Sequence, residues 1–255
     1  MNDYKHFRQT ALLAAKRASK ILLQYYGKNG SVKQKPNRSL VSIADTEANK
    51  SIISIIKRNF PTHSILSEET GFEDNNSDYK WVIDPLDGTH NFLHKLPIFG
   101  TSIALEYKNE VILGVLHFPI LCINAVAEKG KGAFVNGKKI SVSSRKNLGY
   151  SFVLVDTNPS NRKKAANFIG ALSGTTADIR NFGSAIYNIF LVACGKCEGY
   201  VILSTNEWDV AAGFLTVEEA GGRITNLDGW SYNFNERKYL VSNGKLHGKL
   251  LEFLK

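Results

Sequence analysis

The string Trp81-Val82-Ile83-Asp84-Pro85-Leu86-Asp87-Gly88-Thr89 constrains the fold more than any other part of the chain. Its aromatic and β-branched start reads as a buried strand. Asp84 stands at the carboxyl end of that strand, and Pro85, which has no N–H, is expected to stop the ladder there. Asp-Pro-Leu-Asp fits a type I turn, which holds its first and fourth Cα atoms within about 7 Å. Two carboxylates then face one point, at a cost unless they are hydrogen-bonded or hold a cation. A D-P-x-D string by itself is also a plain turn former. The strand before it and Gly88-Thr89 after it favour a site, because the short segment that follows opens with amides able to receive an anion.

The rest of the chain divides by period. Phe7, Ala11, Ala14, Ala15, Ala18, Ile21, Leu22 and Tyr25 follow the rhythm of an amphipathic helix over 4–26, stopped by Gly27. A second helix is predicted over 45–59, with Pro61 beyond its end and a polar loop containing Pro36 before it. From 64 to 144 short strand-like runs take over, and Asn136-Gly137 marks a two-residue hairpin between 134–135 and 140–142. After 150 strands and helices alternate: strands at 152–155, near 179, at 200–203, 223–225 and 239–241, with helices at 160–172, 184–195, 208–220 and the terminus. Helices, then a mainly antiparallel sheet, then βα alternation implies stacked α and β layers. We expect one domain over 1–255 with two lobes, about 1–145 and 146–255.

Composition narrows the partners. No apolar run is long enough for a membrane span; Ala11–Ala15 gives way at once to Lys16 and Arg17. This predicts a cytoplasmic protein that does not engage membranes. Three cysteines without secretory context argue for reduced thiols, and Cys194-Gly195-Lys196-Cys197 reads as structural. A net charge of +9 suits anionic partners such as phosphorylated metabolites or nucleic acid, without choosing among them. Further acids stand at element boundaries: Glu68-Glu69 after a short strand, and Asp45 and Asp209 at helix starts, where an acid also serves simply to compensate the helix dipole. Oxygen donors without a His/Cys cluster indicate Mg²⁺ or Mn²⁺ rather than zinc. His90 and His94, four apart, read as packing or hydrogen-bonding groups and not as a metal pair.

Six strings occur together and in order: Ile43-Ala44-Asp45, Ser67-Glu68-Glu69, Trp81 to Asn91, Glu128-Lys129-Gly130-Lys131-Gly132-Ala133-Phe134, Gly183-Ser184-Ala185 and Trp208-Asp209-Val210-Ala211-Ala212-Gly213. In these the whole chain resembles the inositol monophosphatase family. The resemblance implies an α/β (α+β) fold, a layered αβαβα sandwich of the inositol monophosphatase and fructose-1,6-bisphosphatase type. It implies lithium-sensitive, Mg²⁺-dependent hydrolysis of inositol 1-phosphate or a related small polyol phosphate, with two or three ions and commonly a homodimer. Glu68, Asp84 and the Leu86 carbonyl would hold one Mg²⁺, and Asp84, Asp87 and Asp209 a second, with a weaker third near Glu68. Thr89, hydrogen-bonded to Asp45, would help to activate water. The Gly88 and Thr89 amides would bind phosphate, Gly183, Ser184 and Ala185 would line the substrate side, and Asp209 would reach both metal and substrate. Lys35 matches a lysine of the family's mobile loop.

Two departures qualify the resemblance. Ser39-Leu40-Val41-Ser42 stands where many relatives carry D-L-V-T, which weakens a third ion site. Ile202 occupies the position where inositol-selective relatives place Glu, seven residues before the W-D aspartate. Alternatives therefore stay open: 3′-phosphoadenosine 5′-phosphate or histidinol phosphate as substrate, or a non-enzymatic association with the transcription machinery.

Overall fold

The computed structural model describes residues 2–28, 32–34 and 40–254. Its elements in chain order are α1 (Asn2–Tyr25), β1 (Val32–Gln34), β2 (Leu40–Ser42), α2 (Ile43–Asn59), β3 (Ser64–Ser67), β4 (Gly71–Glu73), β5 (Tyr79–Asp87), α3 (Thr89–Leu93), β6 (Gly100–Tyr107), β7 (Glu110–Phe118), β8 (Ile123–Glu128), β9 (Gly132–Val135) and β10 (Lys138–Lys139). There follow β11 (Phe152–Val155), α4 (Arg162–Leu172), β12 (Asp178–Arg180), α5 (Ala185–Ala193), β13 (Gly199–Ile202), α6 (Glu207–Glu219), β14 (Arg223–Asn226), β15 (Tyr239–Ser242) and α7 (His247–Glu252).

Side-chain alternation builds the layers. Successive strand residues point to opposite faces, so Trp81 and Ile83 of β5 join a core with α1 and α2, while Val82 joins a different one. That second core holds α5 and α6 and receives Leu154, Tyr200, Ile202 and Val241 from the other sheet. The intervening Val153, Val155, Val201 and Leu240 face outward to a third core with Phe168 of α4 and Leu250 of α7. Three cores separated by two sheets make the expected αβαβα sandwich. Each fully buried Leu, Ile or Val contributes about 1.5–3 kcal/mol to this layering.

The larger sheet has the order β10-β9-β8-β7-β6-β5-β3-β4, antiparallel except where β3 runs parallel to β5. The smaller is mixed, β12-β11-β13-β15-β14, with β11 parallel to both neighbours. The Asn136-Gly137 turn forms as expected, both residues at positive φ (48° and 81°). Its second strand ends at Lys139, short of the 140–142 predicted, because Val142 instead donates its amide to Ala220 after α6. The presumed loop between α1 and α2 contains the two-stranded β1-β2 ladder. Lys35, Pro36 and Ser39 lie outside the described residues.

The Asp84–Asp87 segment differs from the turn anticipated. β5 continues through Pro85, and its register slips: Asp84 pairs with Ser102 and Asp87 with Gly100, three steps against two. This is a β-bulge, the place in a ladder where a missing N–H is tolerated. Thr101 Oγ1 donates to the Pro85 carbonyl oxygen (2.9 Å) and holds the bulge to β6.

Candidate active site

Four segments deliver the acids. Glu68 directly follows β3, and its amide donates to the Ile83 carbonyl oxygen on β5 (3.1 Å). Asp84 and Asp87 flank the bulge, and Asp209 lies in the first turn of α6. Asp45 starts α2; it and Asp84 are each only 1% exposed. Carboxylate oxygens of Glu68, Asp84 and Asp209 lie within 4.8 Å of one another.

Local hydrogen bonds aim these groups. Asp84 Oδ1 accepts from the Leu86 amide (2.9 Å). Asp87 accepts from the Ser184 hydroxyl and from the Ala185 amide (3.2 Å), so the start of α5 is tied to the bulge. Asp209 accepts from the Asn206 amide (2.7 Å) and Thr205 Oγ1 (2.9 Å), and so caps its own helix while joining the cluster. Lys80 bridges Glu106 (2.9 Å) and Glu207 (2.7 Å), clamping the start of α6 onto β5 and β6. The Thr89 hydroxyl, expected on Asp45, donates instead to the Leu86 carbonyl oxygen (3.0 Å). Thr89 begins α3 directly after the bulge, so the carbonyl three residues back is the acceptor within reach. Gly88 has φ +80°, and a Cβ there would stand 2.9 Å from the Ile98 carbonyl oxygen, so only glycine lets the chain turn from strand into helix here.

Burial and neighbouring charges raise the carboxyls of Asp84, Asp87 and Asp209. Asp84 is held well above the ordinary carboxylate range, first by burial and then by the charges of Glu68, Asp87, Asp209 and Asp45. Burial pushes Asp87 up to about 6, against the pull of its bonds from Ser184 and Ala185. Asp209 rises to about 7, by burial and then the charge of Glu68. Like charges this close and this dry are relieved by protonation or by a positive counter-charge. The donors are oxygens, and neither His90 nor His94 joins a metal-competent group among the described residues. The site therefore fits a hard divalent cation. The C-x-x-C thiols do not compete for one: burial pushes Cys194 up to about 11 and Cys197 to about 12, which keeps them protonated and inert.

A cleft of about 300 Å³ opens beside the acids, lined by Asp87, Asp209, Gly183, Ser184 and Ala185 on one side and by Asp156 and Ile202 on the other. The expected substrate-side residues are thus brought together, and Ser184 and Ala185 also position Asp87. Some supports were missed in the sequence. Asn91 Nδ2 donates to the carbonyl oxygens of Ile98 and Phe182 (2.7 Å each), tying α3 to the loop before α5. Its place at the end of the Trp81–Asn91 string was the available signal. Thr205 carried none, whereas Asp156 stands directly after the strand predicted at 152–155, the same placement that marks Asp84.

An αβαβα sandwich with a buried, oxygen-only acid cluster beside a cleft defines the class as proteins able to hold a hard divalent cation next to a bound ligand. The chain belongs to the inositol monophosphatase family, whose model matches residues 3–255. It is 36% identical over 242 residues to the Nus factor SuhB of Pseudomonas aeruginosa, covering 91% of this chain and 89% of that protein. It is 36% identical over 233 residues to a fructose-1,6-bisphosphatase/inositol-1-monophosphatase of Thermotoga maritima, with 91% and 89% covered. Among solved structures, the extragenic suppressor protein suhB from Bartonella henselae superposes with a TM-score of 0.94 at 32% identity, covering 98% of each chain. The Thermotoga maritima IMPase gives a TM-score of 0.91 at 33% identity, covering 100% of this chain and 97% of that one.

Proposed function

We propose that the protein hydrolyses a small polyol or sugar phosphate monoester, inositol 1-phosphate or a relative of it, with two or three Mg²⁺ ions. The observation that carries this is the convergence of Glu68, Asp84 and Asp209 oxygens within 4.8 Å, in a place where burial and repulsion leave them short of positive charge. Glu68, Asp84, the Leu86 carbonyl, Asp87 and Asp209 would hold the Mg²⁺, which would supply Lewis-acid stabilisation of the phosphoryl oxygens and lower the pKa of water. The chain's own groups do the remainder. Amides of Gly88 and Thr89, at the start of α3 where intrahelical partners are lacking, receive phosphate oxygens. Glu68, Asp45 and the Thr89 hydroxyl orient the attacking water, and Gly183, Ser184, Ala185 and Asp209 face the alcohol.

No helix among the described residues is long and apolar enough to cross a membrane. We read the protein as a cytoplasmic homodimer. A panel of phosphate monoesters assayed with Mg²⁺, Ca²⁺ or a chelator tests the reading. Turnover is expected with Mg²⁺ only, since Ca²⁺ takes longer and more numerous oxygen contacts, and Li⁺ is expected to inhibit. Full activity in chelator contradicts it.

Similarity to a protein named Nus factor SuhB supports a second role, association with a transcription complex. Such a role would survive Asp87→Asn in the cell, whereas a purely enzymatic one would not.

A further inference from the structure

If the phosphate lies against the acid cluster, the alcohol it esterifies extends into the adjoining cleft, whose far wall is built by the smaller sheet. β11 and β13 are parallel, with Val155 opposite Val201, and the Asp156 amide donates to the Val201 carbonyl oxygen (2.9 Å). Asp156 therefore continues β11 beside Ile202, about 4.8 Å away across the ladder. Leu154, Tyr200 and Ile202 all face the core between the sheets, and by alternation Asp156 faces the same way, onto the cleft. It is 7% exposed. Amides of Asn158, Leu203, Ser204 and Thr157 support its charge, while burial still holds its carboxyl above the ordinary range.

The lining contains no arginine or lysine among the described residues; its polar groups are Asn, Ser, Thr and Tyr side chains, His90, and carboxylates. Asp87 and Asp209 belong to the metal cluster, which leaves Asp156 as a negative charge on the alcohol side with no cation beside it in the lining. A second phosphate there would meet repulsion in a partly dry cleft and find no lysine or arginine among the described residues of its lining. A neutral polyol would find hydrogen-bonding groups, and an ammonium would find a carboxylate. A volume of about 300 Å³ suits a small alcohol.

We infer that Asp156 is a specificity-determining residue that selects by charge: it admits phosphate monoesters of neutral or ammonium-bearing small alcohols and rejects those whose alcohol carries another phosphate. This rests on the phosphatase reading above and sharpens its substrate class.

The test uses the full chain with Mg²⁺ and compares kcat/KM for glycerol 2-phosphate, inositol 1-phosphate and histidinol phosphate with kcat/KM for fructose 1,6-bisphosphate and 3′-phosphoadenosine 5′-phosphate. Wild type is expected to favour the first group by about tenfold or more, the scale of one uncompensated charge in a partly buried site. Asp156→Asn is expected to shrink that ratio by about tenfold, through KM of the doubly phosphorylated esters. A merely structural role would lower all substrates together and leave the ratio unmoved. Thr157→Lys, which adds a cation at the exposed rim without removing Asp156, is expected to shift the ratio the same way and serves where Asp156→Asn does not fold. Equal or better use of the doubly phosphorylated esters by wild type, or a ratio unmoved in a folded variant, overturns the inference. If no ester is turned over, the phosphatase reading itself fails. Charge selection is then read by calorimetry with Ca²⁺ present, where tighter binding of fructose 1,6-bisphosphate than of glycerol 2-phosphate overturns it.

Discussion

The two sheets contribute differently to one cleft. The larger is mostly a run of neighbouring antiparallel strands, and its β3 and β5 ends supply Glu68, Asp84 and Asp87. The smaller is mixed, its parallel strands joined through helices, and its β11 and β13 ends supply Asp156 and Ile202. Between them α6 carries Asp209. It packs so close to β7 that a Cβ on Gly114 would lie 2.6 Å from the Ala212 carbonyl oxygen. The difference teaches that charge is concentrated on one wall, in a donor set that fits a hard divalent cation, and is sparse on the other, where Asp156 stands alone. Substitutions on the two walls should therefore fail in different ways.

The largest effect is expected on the first wall. Asp87→Asn and Asp209→Asn should each reduce turnover to less than about a tenth of wild type in saturating Mg²⁺ while leaving the fold intact, because metal stabilisation of the transition state is worth several kcal/mol. Steady-state rates with circular dichroism on the same samples check this. Greater residual activity would remove the distinction between the walls.

A smaller effect is expected on the second wall. Ile202, 1% exposed, offers no acceptor to a polyol. Selectivity for inositol 1-phosphate over glycerol 2-phosphate should therefore be shallow in wild type and steeper in Ile202→Glu, by about tenfold, if the new carboxylate takes a substrate hydroxyl. A strong wild-type preference left unchanged by the substitution would show that other groups read the ring.

A third effect, on stability and not on turnover, concerns the smaller sheet alone. His247 is fully buried, hydrogen-bonded to Ser242 (2.7 Å) and Thr225 (2.9 Å). Burial first, then the Arg223 charge, lowers it to about 4. Its unfolded value is about 6.5, so the unfolded chain binds the extra proton between those limits and stability falls as pH drops through that window. The loss is at most about 3 kcal/mol. Denaturant unfolding at several pH values should show it in wild type and show a shallower pH dependence in His247→Gln.

How legible all this was in the sequence depended on how local each feature is. The period of α1 and the Asn136-Gly137 turn are set by residues near each other in the chain, and both form where expected. The route of the chain through Asp84–Asp87 departs from the expected turn, because the missing N–H of Pro85 does not end the ladder here. Whether a proline ends a strand or sits in a bulge depends on the partner strand, here Thr101 and its bond to Pro85. The acids were recognised by resemblance, while spacing alone left Asp45 and Asp209 as ordinary helix-start acids. Asp209 proves to be both cap and cluster member. Asp156 ends a predicted strand as Asp84 does, but its place beside Ile202 comes from a parallel pairing that local sequence does not show.

Thermal unfolding of wild type and Asp84→Asn, each in chelator and in saturating Mg²⁺, tests the central claim most directly. Asp84 is the most crowded of the acids, its carboxyl raised by burial and four neighbouring charges. If the cluster exists to hold a cation, removing that charge should stabilise the protein in chelator by relieving repulsion, and should remove most of the stabilisation that Mg²⁺ confers on wild type. The order of the two melting temperatures is then predicted to reverse between the conditions. The same order in both, with Mg²⁺ raising neither, would contradict the account.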